Sequence, residues 1–233
     1  WWVIGNDASG AMYAGLELAD SVKIDGSLIN VNDKQRNPNL AVRGIKFNIP
    51  LDARTPSYAD NSMAAQGNTA EMWSMPYWTR FLDQMARNRM NNLSLWNRHP
   101  FPSMVRVPEY PNTALSDVMR KTGYLNSSDT PGGPQQTVKK MTIDEKIKFW
   151  QDVMQYAKDR GVSVSIFTWN VHVYGTENSG YGLTDSPTNT VTKDYIRKAV
   201  RSLINTYPLL ASIGVTAGEN LNLDTSSKEQ WVW

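Results

Sequence analysis

The stretch Ala211-Ser-Ile-Gly-Val-Thr-Ala-Gly-Glu-Asn-Leu221 places one carboxylate, Glu219, where it could do chemistry. The stretch begins apolar and β-branched, as a buried strand does, and then turns small and polar. Glu219 falls just past the expected strand end. A carboxylic acid there can protonate a leaving oxygen, and its ionised form can act as a base. A loop with a solvated Glu would read the same locally, so the surrounding elements have to decide.

Those elements alternate. Strands are expected at residues 1–4, 43–50, 92–96, 162–169 and 213–216. Helices are expected at 11–22, from 74 to near 90, at 142–160 and at 192–207. The first has Asp7 or Ser9 as cap and Gly26 beyond its end. The second has Ser74 as cap, Pro76 in its first turn, and Trp78, Phe81, Leu82, Met85 and Ala86 on one face. The third opens on a capping box, Thr142-Ile-Asp-Glu145. It buries Ile147, Trp150, Val153, Met154 and Ala157. The fourth buries Tyr195, Ile196, Ala199, Val200, Leu203 and Ile204, and Pro208 ends it. Residues 97–141 read as one long irregular segment, and 226–233 as the start of a helix.

Helix-to-strand connections are short and strand-to-helix connections are long. In a (β/α)8 barrel, long loops at the C-terminal ends of the strands build the site. An open doubly wound sheet would also gather its loops on one side. However, no Gly-x-Gly-x-x-Gly and no Walker-type loop follows any strand, so nucleotide binding has little support.

On this layout the strand ends share one face. The first contributes Asn48 and Arg54, with Asp52 in the loop between them. The second contributes Trp96, Asn97, Arg98 and His99. The third contributes Trp169, Asn170, His172 and Tyr174. The fourth contributes Glu219 and Asn220. Both histidines of the chain fall here.

Glycoside hydrolysis suits this set. It needs a carboxylic acid for the leaving oxygen and a second carboxylate as base or nucleophile. Trp96, Trp169 and Tyr174 offer apolar faces to sugar C–H surfaces, and Asn, Arg and His offer hydrogen bonds to hydroxyls. Arg54 and Arg98 could grip a sugar carboxylate, whereas Arg43 sits at the wrong end of its strand and reads as structural. A facial triad of His99, His172 and Glu219 would make a metal-dependent hydrolase. No His-x-His or His-x-x-x-His spacing supports it, so neither a metal nor a cofactor is expected. A non-catalytic carbohydrate-binding or structural fragment is the other alternative.

Composition narrows the partners. The 233 residues carry a net charge of +2, which suggests no nucleic acid. No apolar run approaches the roughly 20 residues that span a bilayer, so no membrane is expected. Nine Trp and ten Tyr against five Phe favour amphipathic aromatics, although most of them would simply fill a core. The lack of Cys excludes disulfides without fixing the compartment.

Several of these residues resemble a known group of enzymes. Val3-Ile-Gly-Asn-Asp-Ala-Ser-Gly-Ala-Met-Tyr-Ala-Gly-Leu-Glu-Leu-Ala19 resembles the last strand and helix of the small α/β domain that precedes the barrel in family 67 α-glucuronidases and, more distantly, family 20 β-hexosaminidases. Arg43-Gly44-Ile45 resembles their first barrel strand. Tyr207-Pro208 into Gly214-Val-Thr-Ala-Gly-Glu219 resembles their fourth, where the acid sits.

The resemblance implies an α/β fold: residues 1–35 as the end of a small α/β domain and linker, and 36–233 as the first four βα units of a (β/α)8 TIM barrel, truncated. It implies a glycosidase of plant or algal oligosaccharides, α-glucuronidase-like and acting on uronic-acid-containing chains, with Glu219 as general acid. A secreted or periplasmic location would follow. The expected partners are the carbohydrate and the missing C-terminal half of the barrel, or a second copy. Two departures stand out. Family 20 has an adjacent Asp-Glu pair for substrate-assisted catalysis, whereas Gly218 precedes Glu219 here. Asn48 stands where the first strand often carries Asp.

Overall fold

The computed structural model describes residues 1–56, 63–122, 133–169 and 172–216. Among these, six strands and six α-helices follow one another. In chain order they are α1 (Ala8–Asp25), β1 (Gly44–Asn48), α2 (Met63–Asn68), α3 (Met75–Arg87), β2 (Asn92–Trp96), α4 (Phe101–Met104), β3 (Val118–Lys121), β4 (Gln135–Lys139), α5 (Ile143–Lys158), β5 (Ser163–Trp169), α6 (Thr190–Thr206) and β6 (Leu210–Thr216).

Strands β1, β2, β5 and β6 form one parallel sheet in that order. The order never reverses. A doubly wound sheet reverses at its ligand-binding crevice, whereas a barrel adds each new strand on the same side. The fold is therefore α/β in the manner of the first half of a (β/α)8 barrel.

Local chemistry accounts for the helices. Asp7 Oδ1 accepts from Gly10 N at 2.6 Å to cap α1, and Gly26 ends it in the left-handed region at φ +67°. In α5 the capping box forms: Thr142 Oγ1 accepts from Glu145 N at 3.2 Å, and Glu145 accepts from Thr142 N at 2.7 Å. Asn189 caps α6 by accepting from Val191 N and Thr192 N.

The two faces of the sheet differ. Ile45, Phe47, Leu93, Leu95, Val164, Ile166 and Ile213 point to one face, in register across the strands. All but Ile45 pack in one core with Trp78, Leu82 and Met85 of α3, Trp150, Val153 and Met154 of α5, and Tyr195 and Leu203 of α6. Three tryptophans centre this core. Trp150 meets Trp73 and Trp78 edge-on at centroid distances of 6.0 and 5.3 Å. Trp73 and Trp78 spend their Nε1–H groups on Leu51 O and Met72 O, so their burial leaves no donor unsatisfied.

The opposite face is polar below and aromatic above. Lys46, Ser94, Ser165 and Ser212 lie at one level, and Asn48, Trp96, Phe167 and Gly214 at the next. Gly214 is required there, because a Cβ would lie 2.1 Å from the Phe167 ring.

Two expectations need correction. Residues 1–4 form no strand: Trp2 is 92% exposed, and no described strand pairs with the segment. Residues 97–141 are not irregular throughout. They hold α4, a short 3-10 turn at Pro111–Thr113, and the antiparallel pair β3–β4. The expected helix at 226–233 lies outside the described residues.

Helix α1 buries no residue. It meets the N-terminal ends of the strands through an ion pair between Glu17 and Arg89 and through Arg43, stacked 5.9 Å from the Tyr13 ring. Arg43 also donates to Leu40 O and Arg89 O, the structural role expected of it.

Candidate active site

The site is built at the C-terminal ends of β2, β5 and β6. Trp96 closes β2 and Trp169 closes β5, both nearly fully buried. Their rings meet edge-on at 5.9 Å, in a cluster apart from the main core, with Phe167 and Ile196 beside them. Trp96 Nε1 donates to Thr216 Oγ1 of β6 at 3.4 Å, and Lys46 Nζ lies 5.6 Å from the Trp96 ring.

A stack rises from this pair. His172 lies over Trp169 at 5.1 Å and Tyr174 over His172 at 5.0 Å, with interplanar angles of 23° and 19°. Arg98, buried, lies 5.2 Å from the Trp169 ring and 5.6 Å from that of Tyr174. Trp96, Trp169 and Arg98 thus form the buried base of an aromatic wall, and His172 and Tyr174, both half-buried, are the members that reach the surface, where their polar edges could meet a polyhydroxylated ligand.

Buried polar groups hold the wall from below. Asn97 donates from Nδ2 to Ile49 O at 2.8 Å and accepts on Oδ1 from His99 N at 3.0 Å, tying the ends of β1 and β2 together. His99 is 1% exposed. Its Nδ1 lies 2.6 Å from Tyr174 O and its Nε2 3.1 Å from the Tyr195 hydroxyl. Burial pushes its pKa down to about 4, only partly opposed by the hydrogen bond to Tyr174. The ring is therefore neutral near pH 7. Nδ1–H donates to the carbonyl and Nε2 accepts from the phenol, whose own pKa burial pushes up.

The strand-end residues accordingly separate. Trp96, Arg98, Trp169, His172 and Tyr174 come together. Asn48 lies beside them, accepting from Lys46 Nζ at 3.3 Å. Asn97 and His99 have their polar atoms engaged inside the protein. So has Arg54, which forms a two-pronged pair with Asp52 at 2.8 Å for each contact and also donates to Ser116 O and Asp117 O. Asp52, read as a loop residue, is 2% exposed and also accepts from Met119 N, so it anchors β3. Asn170, Glu219 and Asn220 lie outside the described residues.

The metal alternative loses a ligand here, because both nitrogens of His99 are occupied. Among the described residues no group of three His, Asp or Glu is arranged to hold a metal ion.

Three features were missed from sequence. Asp185, in the loop after β5, reaches His172. Tyr195 was assigned to the core without its hydrogen bond to His99. Lys46 sits at a polar position of an alternating strand, and that alternation could have flagged it. A groove of about 360 Å³ lined by Gln151, Met154, Tyr207 and Pro208 lies at the opposite, N-terminal end of β6, away from the wall.

No protein-family profile matches the sequence, and no curated protein matches it. Solved structures do. A GH138 enzyme described as targeting pectin rhamnogalacturonan II superposes with a TM-score of 0.71 at 24% identity over 98% of this chain. A glycoside hydrolase family 20 β-N-acetylglucosaminidase superposes with a TM-score of 0.56 at 13% identity over 98% of the chain. The family 20 exo-β-N-acetylglucosaminidase of Vibrio harveyi reaches 0.51 at 12% identity over 83%. The chain spans 24%, 47% and 30% of those proteins. The fold is thus shared with the barrels of glycoside hydrolases, and the chain spans less than half of each of them.

Proposed function

We propose that the chain is the first half of the catalytic barrel of a glycoside hydrolase, in which Glu219 is the general acid. The aromatic cluster at the strand ends supports this reading, because Tyr174 and His172 reach the surface above a buried base of Trp96, Trp169 and Arg98, and a half-buried aromatic beside a polar ring edge fits a sugar. The substrate class is an oligosaccharide from a plant or algal polysaccharide, with uronic acid residues as in the α-glucuronidase-like reading. The description of the GH138 enzyme as acting on a pectic polymer points the same way.

The division into a small α/β domain ending near residue 35 and a barrel from 36 onward belongs to the same proposal, as does completion of the site by further strands. Asn48, Asn170 and Asn220 would bind hydroxyls. Asn97, His99 and Arg54 would hold the framework.

The test is the full-length enzyme assayed on rhamnogalacturonan II fragments and aryl uronides. Turnover that Glu219→Gln abolishes, with binding retained, is the expected result. Binding without turnover in the wild type would favour a carbohydrate-binding role, and no binding at all would sink the proposal.

A further inference from the structure

We infer that Asp185 is the positioning residue that keeps His172 protonated on Nδ1, so that Nε2 faces the site as a hydrogen-bond acceptor for a sugar hydroxyl.

Asp185 is held in place before it meets His172. One carboxylate oxygen, Oδ1, accepts from Val173 N at 3.0 Å, the amide next along the chain from His172. The other, Oδ2, lies 3.3 Å from His172 Nδ1. An ionised carboxylate can only accept, so the nitrogen facing it carries the hydrogen. In a neutral ring the far nitrogen is then bare.

The ring has little freedom to escape this arrangement. It is sandwiched between Trp169 and Tyr174, near-parallel to both. Turning it over about its last torsion would keep the stack but place a carbon opposite Asp185, at the cost of the hydrogen bond. The backbone of Tyr174 is in turn fixed by His99 from beneath. Asp185 therefore sets which nitrogen is protonated, and the two rings set where the bare one points. Among the described residues no hydrogen bond occupies Nε2, and the His172 side chain keeps 16% of its surface exposed.

The consequence for a ligand is specific. The cation beneath the wall, Arg98, is buried and a donor-only group. An acceptor at His172 adds the complementary need: a hydroxyl that gives its hydrogen. Sugars present such groups beside their C–H faces. This inference rests on the glycosidase reading for its ligand, but not for its geometry.

The experiment uses the full-length enzyme and two variants, Asp185→Ala and Asp185→Asn. The ring ¹⁵N shifts of His172 are read at about pH 8, above the ordinary histidine range. The wild type should show Nδ1 protonated and Nε2 bare. Asp185→Ala should release the ring to carry its hydrogen on Nε2. Asp185→Asn should keep the wild-type pattern, because its amide oxygen can still accept. KM for rhamnogalacturonan II fragments should rise about tenfold in Asp185→Ala with kcat little changed, the worth of one hydrogen bond, and recover in Asp185→Asn. A wild-type ring protonated on Nε2, an unchanged ring in Asp185→Ala, or an unmoved KM would overturn the inference. A wild-type enzyme with the expected ring that neither binds nor cleaves the fragments would instead sink the function proposed above, and the assignment of Asp185 would stand on the ring shifts.

Discussion

His99 Nδ1 lies 2.6 Å from the carbonyl oxygen of Tyr174, so a histidine buried beneath the site holds the backbone of a residue that lines it. The contact joins the end of β2 to the loop after β5, and Tyr195 of α6 completes it from the other side of the ring. Both histidines thus serve one wall, at different depths. The buried one fixes a main chain, and the outer one presents a nitrogen.

The pH dependence of stability should report on His99. Its unfolded pKa is the ordinary value of 6.5, and the native value is about 4. Between the two, the unfolded chain binds a proton that the native protein resists. The stabilisation is therefore complete above about pH 6.5 and is lost as pH falls through the native value, about 3 kcal/mol in all. Urea unfolding midpoints should drop between about pH 7 and about pH 4. In His99→Gln, which keeps a donor and an acceptor without a titrating ring, that part of the drop should vanish. An identical drop in the variant would assign the slope to other groups.

Asp52 should be the anchor of the β3–β4 pair. It binds Arg54 through both oxygens, accepts from Met119 N, and lies 4.0 Å from Lys146 Nζ. Lys146 is itself fully buried and donates to Leu115 O, and burial lowers its pKa to about 8. Asp52→Ala removes at once the acceptor of the Arg54 guanidinium and of the Arg54 and Met119 amides, and the ion-pair partner of Lys146. It should cost about 3 kcal/mol of stability, as breaking a buried ion pair generally does. Arg54→Lys keeps a charge beside Asp52 but loses the two-pronged geometry and the bonds to Ser116 O and Asp117 O, and should cost less, about 1 kcal/mol. Chemical denaturation of both variants checks the ranking, and equal effects would show that the paired geometry carries the anchor.

The sequence revealed what was local and periodic. The 3.6-residue spacing of Trp78, Leu82 and Met85, and of Trp150, Val153 and Ala157, placed these core helices correctly, because one buried face is enough to show. The Thr142–Glu145 box was visible because both partners lie within one turn. The β3–β4 pair was not. Its strands, Val118–Lys121 and Gln135–Lys139, are short and mostly polar, and Asp52 fixes them from far earlier in the chain. The site shows the same divide. The residue types at the strand ends were legible, but their roles depend on partners 75 and 96 positions away for His99. No pattern along the chain separates a histidine whose nitrogens are engaged internally from one that faces a ligand.

The open side of α6 and β6 leads to the last prediction. Val215 and Ile204 are each 53% exposed. Val215 follows Ile213 by two residues on β6, so it points to the helix-covered face, where a further βα unit of a barrel would pack. Among the described residues strand β6 pairs only with β5. Large apolar side chains left exposed favour association. On the function proposed above, the 233-residue chain expressed alone should self-associate and lack glycosidase activity. The double variant Val215→Lys and Ile204→Lys should shift the light-scattering mass toward that of one chain while far-UV circular dichroism stays unchanged. A wild-type chain that is monomeric in solution and cleaves aryl uronides would show that these four strands already hold a complete site.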